Sequence, residues 1–129
     1  MVNPGAIATT SLVPGATAEE RWRFIHDGLS RFAGRTLSLN AEVCDSASHT
    51  NHRNQSIARL LESYDRIYCD PAEAVDLYTR QSSLNATAKD LAVMGATLAD
   101  GGVNPLTKED VVDATTCHYT LAVVITASV

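Results

Sequence analysis

Two histidines, two asparagines and an arginine fall within HTNHRN, His49 to Asn54, just ahead of the apolar-patterned QSIARLL. Side chains of these types can ligate a metal, contact phosphate, or supply amide partners to a small polar ligand. His49 and His52 are three apart and would share a helix face, but two ligands do not make a metal site, and no nearby Asp or Glu continues their register. They read as solvated histidines at a helix start, and no metal is expected. Cys117 and His118 fail as a nucleophile and base because neighbouring helical side chains point in different directions. Gly101-Gly102 reads as a helix stop and matches no phosphate loop. The residues alone commit to none of the three chemistries, and Asn54 reads locally as a helix-start polar residue bonding nearby backbone.

Helical elements must position these residues. Thr17 with Glu20 forms a capping-box pattern, and Trp22, Ile25, Leu29 and Phe32 follow at helical spacing until Gly34, predicting a helix over 18–33. A shorter helix is expected from about Asn40. Asn51 then caps a helix whose inner face carries Ile57, Leu60, Leu61 and Tyr64. Asp70, Pro71 and Glu73 occupy N-cap, N1 and N3 of a helix reaching about Gln81. Thr87 to Ala99 repeats the pattern, with Leu91, Met94 and Leu98 on one face and Gly101-Gly102 as the stop. After the turn GGVNPLTKED, Cys117, Leu121, Val124 and Ser128 form a helical stripe within 114–129, although Val123, Val124, Ile125 and Thr126 would suit a strand equally well.

The totals narrow the classes. A chain of 129 residues fits one domain and can bury about two-thirds of its unfolded surface. Ten Lys plus Arg against fifteen Asp plus Glu give a net charge of −5, with no basic run, so nucleic acid and anionic membrane are not expected partners. No run approaches the roughly 18 apolar residues of a membrane span, and Pro4 and Pro14 interrupt the start of the chain as a signal peptide. Cys44, Cys69 and Cys117 are an odd number without C-x-x-C spacing, which suits a reducing, cytoplasmic location.

Read together, NPGAIATTSL, AEERW, LSRFAGR, NHRNQSIA, RIYCDPAEAVDLYTRQSS, TAKDLAVMGATLADGGVNP and YTLAVVITAS resemble, in this order and spacing, the serine-dependent glutaminases. The resemblance spans essentially the whole chain. It implies hydrolysis of L-glutamine to L-glutamate and ammonia on a fold similar to the penicillin-binding proteins and serine β-lactamases, with no cofactor. In that family the serine of an S-x-x-K motif attacks the side-chain amide carbon, while the lysine and a tyrosine handle protons. The implied fold class here is mainly α: the helical portion of a β-lactamase/transpeptidase-like α+β glutaminase fold, present as a single truncated domain over 1–129.

Carried over by position, Asn3 matches a substrate-binding asparagine of the family, although Pro4 replaces the usual alanine. Asn54 matches a second, and Tyr78 in DLYTRQ matches a binding tyrosine. Ala47 stands where the resemblance implies a glutamate for the substrate ammonium. Only two lysines are present, Lys89 and Lys108, and Ala86 and Pro105 stand three residues before them, so there is no S-x-x-K and no catalytic residue is assigned. The expectation is a glutaminase-family chain that is inactive alone and holds L-glutamine or L-glutamate weakly if at all. The alternatives are a non-catalytic helical interaction module and a decayed fragment. A helical portion separated from its sheet would expose apolar surface and associate, as a homo-oligomer or through those faces.

Overall fold

Local signals set most helix boundaries. Asp70 accepts the Glu73 N–H at 3.0 Å, and Pro71 occupies the first turn, where a missing N–H costs no intrahelical bond. Thr87 and Asp90 form a reciprocal capping box, and Asn40 accepts from Val43 N at 3.0 Å. Thr17 Oγ1 accepts the Glu20 N–H, while the Glu20 carboxylate takes the N–H of Ala16, one residue earlier than a reciprocal box requires.

The computed structural model describes residues 3–127, so Ser128, the expected end of the last stripe, lies outside the described residues. The elements are α1 (Asn3–Thr10), α2 (Ala18–Ala33), β1 (Ser38–Leu39), α3 (Ala41–His49), α4 (His52–Ser63), α5 (Pro71–Ser82), β2 (Leu84–Asn85), α6 (Ala88–Ala99) and α7 (Ala114–Ala127). The architecture is mainly α, and the β-branched last segment is helix. The two short strands pair antiparallel, Ser38 with Asn85 and Leu39 with Leu84. No sequence signal announces α1, whose first turn contains Pro4 and Gly5. Proline is tolerated there, and tertiary burial of Ile7 and Thr10 stabilises the helix.

The chain clusters into two compact units. The first holds α1, α3, α4, α5, the strand pair and α2 as far as His26. Its core is Ile7, Ala58, Ala74 and Val75, with Ile57, Leu61, Ile67, Cys69 and Tyr78 packed around it. This corrects the expected inner face of α4: Leu60 and Tyr64 are exposed, and Ala58 points inward instead. Methyl side chains at Ala58 and Ala74 let the helices approach closely, so the inner face of α4 is centred on Ala58 with Ile57 and Leu61 beside it, and Leu60 and Tyr64 fall outside it. Arg21 pairs with Glu73, and Arg80 lies 5.9 Å from the Trp22 ring centroid, joining α2 to α5 at the rim.

The second unit holds Asp27–Leu37, α6, α7 and the turn between those helices. Asn104 is fully buried at its centre. Its Nδ2 donates to the Arg31 and Phe32 carbonyls at 2.8 and 3.1 Å, covering the end of α2, and its Oδ1 accepts from Leu106 N and Thr107 N at 2.9 and 3.1 Å. Gly34, at φ +71°, ends α2 close against this amide. Val93 and Thr97 form the buried face of α6, with Met94 and Leu98 half-buried, whereas Leu91 is exposed, contrary to expectation. On α7, Cys117 is buried and Leu121 half-buried, but Val124 is exposed, so the stripe narrows after its first two turns. Both departures arise because helical spacing identifies a possible face without saying which turns have a neighbour.

Candidate functional site

The first unit brings Asn3, Asn54 and Tyr78 together from three helices. Asn3 begins α1, where Pro4 lies in the first turn. Asn54 is the third residue of α4. Tyr78 lies on α5, packed against the Ile7 and Val75 core, which leaves its hydroxyl at the core's edge. Asn3 Nδ2 donates to Asn54 Oδ1 at 2.9 Å, and the Tyr78 hydroxyl is 3.5 Å from Asn3 Oδ1. All three side chains are half-buried.

This arrangement has a direction. The Tyr78 O–H donates toward Asn3, Asn3 donates to Asn54, and the Asn54 Nδ2 donates to no other described residue. Its N–H groups are therefore available to a carboxylate or carbonyl oxygen, while the Tyr78 oxygen retains acceptor capacity. An uncharged amide and phenol set of this kind can hold and orient a polar ligand.

Two serine hydroxyls of the first unit have structural bonds. Ser11 Oγ donates to the Ala8 carbonyl at 2.6 Å and accepts the Tyr68 N–H at 3.1 Å, and Ser56 Oγ donates to the His52 carbonyl at 2.9 Å. Burial, aided by the negative charge of Glu73, pushes the Cys69 thiol up, which lowers its thiolate fraction. His49 is exposed with Nδ1 2.7 Å from the Asp45 carbonyl, and His52 is exposed at the start of α4. Among the described residues, no three His, Cys, Asp or Glu side chains gather in a way that could hold a metal ion. Ala47 lies on α3 beside an open groove of about 490 Å³ lined also by Glu42, Val43 and Ser46.

One interaction here has no sequence signal beyond residue type. Asn51 occupies the N-cap position of α4 but makes no side-chain capping bond; its Nδ2 donates instead to Thr79 Oγ1 at 2.5 Å.

A family model described as glutaminase matches residues 1–129. The chain belongs to the glutaminase family. Glutaminase 2 of Yersinia pestis is 69% identical over 127 residues, covering 98% of this chain and 37% of that protein. The solved structure of the probable glutaminase YbaS superposes with a TM-score of 0.92 at 48% identity, covering 94% of this chain and 39% of that one. The Bacillus subtilis glutaminase YbgJ, solved as a covalent complex with 5-oxo-L-norleucine formed by reaction with 6-diazo-5-oxo-L-norleucine, superposes with a TM-score of 0.85 at 27% identity, covering 91% of this chain and 40% of that one. The chain thus spans between 37% and 40% of the length of these glutaminases.

Proposed function

We propose that the first unit is a ligand-holding part of a glutaminase, in which Asn3, Asn54 and Tyr78 contact free L-glutamine or L-glutamate. The supporting observation is the hydrogen-bonded convergence of the three side chains, from positions 51 and 75 residues apart. The chain alone carries no S-x-x-K pair, and we propose that it releases no ammonia from glutamine by itself.

Affinity should be weak because Ala47 supplies no carboxylate to the ligand ammonium. Losing a buried ion-pair partner typically costs about 2–5 kcal/mol. We expect a dissociation constant above roughly 1 mM, the regime of about −4 kcal/mol. Titration with L-glutamine, followed by nuclear magnetic resonance, should shift the signals of Asn3, Asn54 and Tyr78. Asn54→Ala should abolish those shifts, and Ala47→Glu should tighten binding. Shifts that survive Asn54→Ala, or no shift at tens of millimolar ligand, would sink the binding assignment.

A second reading, a helical interaction module, is favoured by α7. This helix has no Asp, Glu, Lys or Arg over Ala114–Ala127 and leaves Tyr119, Val123 and Ile125 exposed. Apolar surface of this kind favours association, and we propose a second copy of the chain as the occupant. Sedimentation should show dimers that Val123→Asp dissociates; a monomer at every accessible concentration excludes this reading. No helix of the described residues is long and apolar enough to cross a membrane.

A further inference from the structure

We infer that Asn51 and Thr79 are positioning residues for the Asn3, Asn54 and Tyr78 set, through the buried hydrogen bond that fastens the first turn of α4 to α5. The purpose of the set rests on the binding reading above, whereas the geometry claimed here is independent of any ligand.

An asparagine at an N-cap ordinarily turns its side chain onto an N–H of its own helix. Asn51 does not. Its amide crosses to α5 and donates to Thr79 Oγ1 at 2.5 Å, with the two residues only 9% and 4% exposed. The Thr79 hydroxyl spends its own hydrogen on the Val75 carbonyl at 2.8 Å. It can therefore only accept from Asn51, and this fixes which end of the Asn51 amide faces α5.

The location of the bond gives it consequence. Asn54 is one turn beyond Asn51 in a helix whose first turn lacks its own N-cap side-chain bond, and such a turn frays readily. Thr79 directly follows Tyr78 in α5. The bonds thus close a circuit: Asn51 to Thr79 between α4 and α5, Tyr78 to Asn3 between α5 and α1, and Asn3 to Asn54 back to α4. The apolar core of Ile7, Ala58, Ala74 and Val75 sets helix spacing but is non-directional, so rotation of the first turn of α4 falls to the directional bond.

The test reads side-chain amide resonances of Asn3 and Asn54, together with hydrogen exchange at the Gln55 N–H, which donates to the Asn51 carbonyl at 3.0 Å. Thr79→Val removes the acceptor, and Asn51→Ala removes the donor while leaving Thr79 its bond to Val75. Each should move both asparagine signals and speed Gln55 exchange by about tenfold or more. Thr79→Ser should restore wild-type signals, and the double variant should act no further than either single one. Thr97→Val deletes a comparable buried hydroxyl in the other unit, bonded to Val93 O at 2.9 Å, and should leave these signals unmoved. Asparagine signals unchanged in Asn51→Ala and Thr79→Val, or moved equally by Thr97→Val, would overturn the inference. If Thr79→Val does not fold, Asn51→Ala decides alone.

Discussion

Arg35 grips Asp90 with two parallel hydrogen bonds, Nε to Oδ1 at 2.8 Å and Nη2 to Oδ2 at 2.6 Å. The same carboxylate accepts the Thr87 N–H at 2.7 Å and the Thr87 hydroxyl at 2.8 Å. The cap of α6 and the anchor of the segment after α2 therefore share one side chain.

These contacts give a pH prediction. The Arg35 hydrogen bonds, then those from Thr87, hold Asp90 well below the ordinary carboxylate range. Because the folded-state value lies below the unfolded one, the stabilisation is fully present above the unfolded value near 3.8 and is lost as pH falls toward the folded value. Urea midpoints followed by circular dichroism should fall as pH drops below about 4. Asp90→Asn should lower the midpoint at pH 7 and flatten that acid slope. An equally steep slope in the variant would assign acid sensitivity to other carboxylates.

A second prediction contrasts two adjacent glycines. Gly102 has φ +102°, and a Cβ there would lie 1.8 Å from the Val112 carbonyl oxygen; Gly101 has φ +66° with its nearest neighbour at 3.7 Å. Gly102→Ala should cost about 2–4 kcal/mol through steric conflict added to strain. Gly101→Ala should cost only about 1 kcal/mol, the left-handed penalty alone. Equal losses in denaturant titrations would mean that the turn relaxes away from Val112.

A third prediction concerns Asp65, which ends α4 in the left-handed region at φ 55°. Its N–H donates to Glu62 O at 3.0 Å, and Arg66 N donates to Leu61 O at 2.9 Å, closing the helix. Asp65→Gly removes the Cβ penalty and should stabilise by about 0.5 kcal/mol after the added unfolded-state entropy, whereas Asp65→Ala should destabilise. Thermal melts of the pair should bracket the wild type. A lower melting temperature for glycine would show that the aspartate side chain contributes more than its backbone strain removes.

The helix starts at Asp70 and Thr87 were legible because their signals lie within four residues of chain. The amide set was legible only through resemblance, since nothing local to Asn3, Asn54 or Tyr78 says that they meet. Helix α1 escaped because Pro4 and Gly5 argue against a helix locally while the burial of Ile7 argues for it tertiarily. Periodicity ranks faces by size of side chain and so points Leu60, Tyr64 and Leu91 inward, whereas packing on α4 centres its face on the small Ala58 between Ile57 and Leu61. Residue type favours a capping role for Asn51, and no spacing rule reveals Thr79, 28 positions distant.

The separation of the bonded residues also sets an order of events during synthesis. Asn3 emerges from the ribosome first, yet its hydrogen-bond partners are 51 and 75 residues behind it. At about 5–20 residues per second, the amide set waits several seconds for Tyr78 to be made. Closing spans of that length costs only about 0.6 kcal/mol for each doubling, so the delay is one of supply more than of chain entropy. Until α5 is complete, Ile7 and Ala58 lack Ala74 and Val75, the α5 side of their core, and the amide set is among the last features of the first unit to exist.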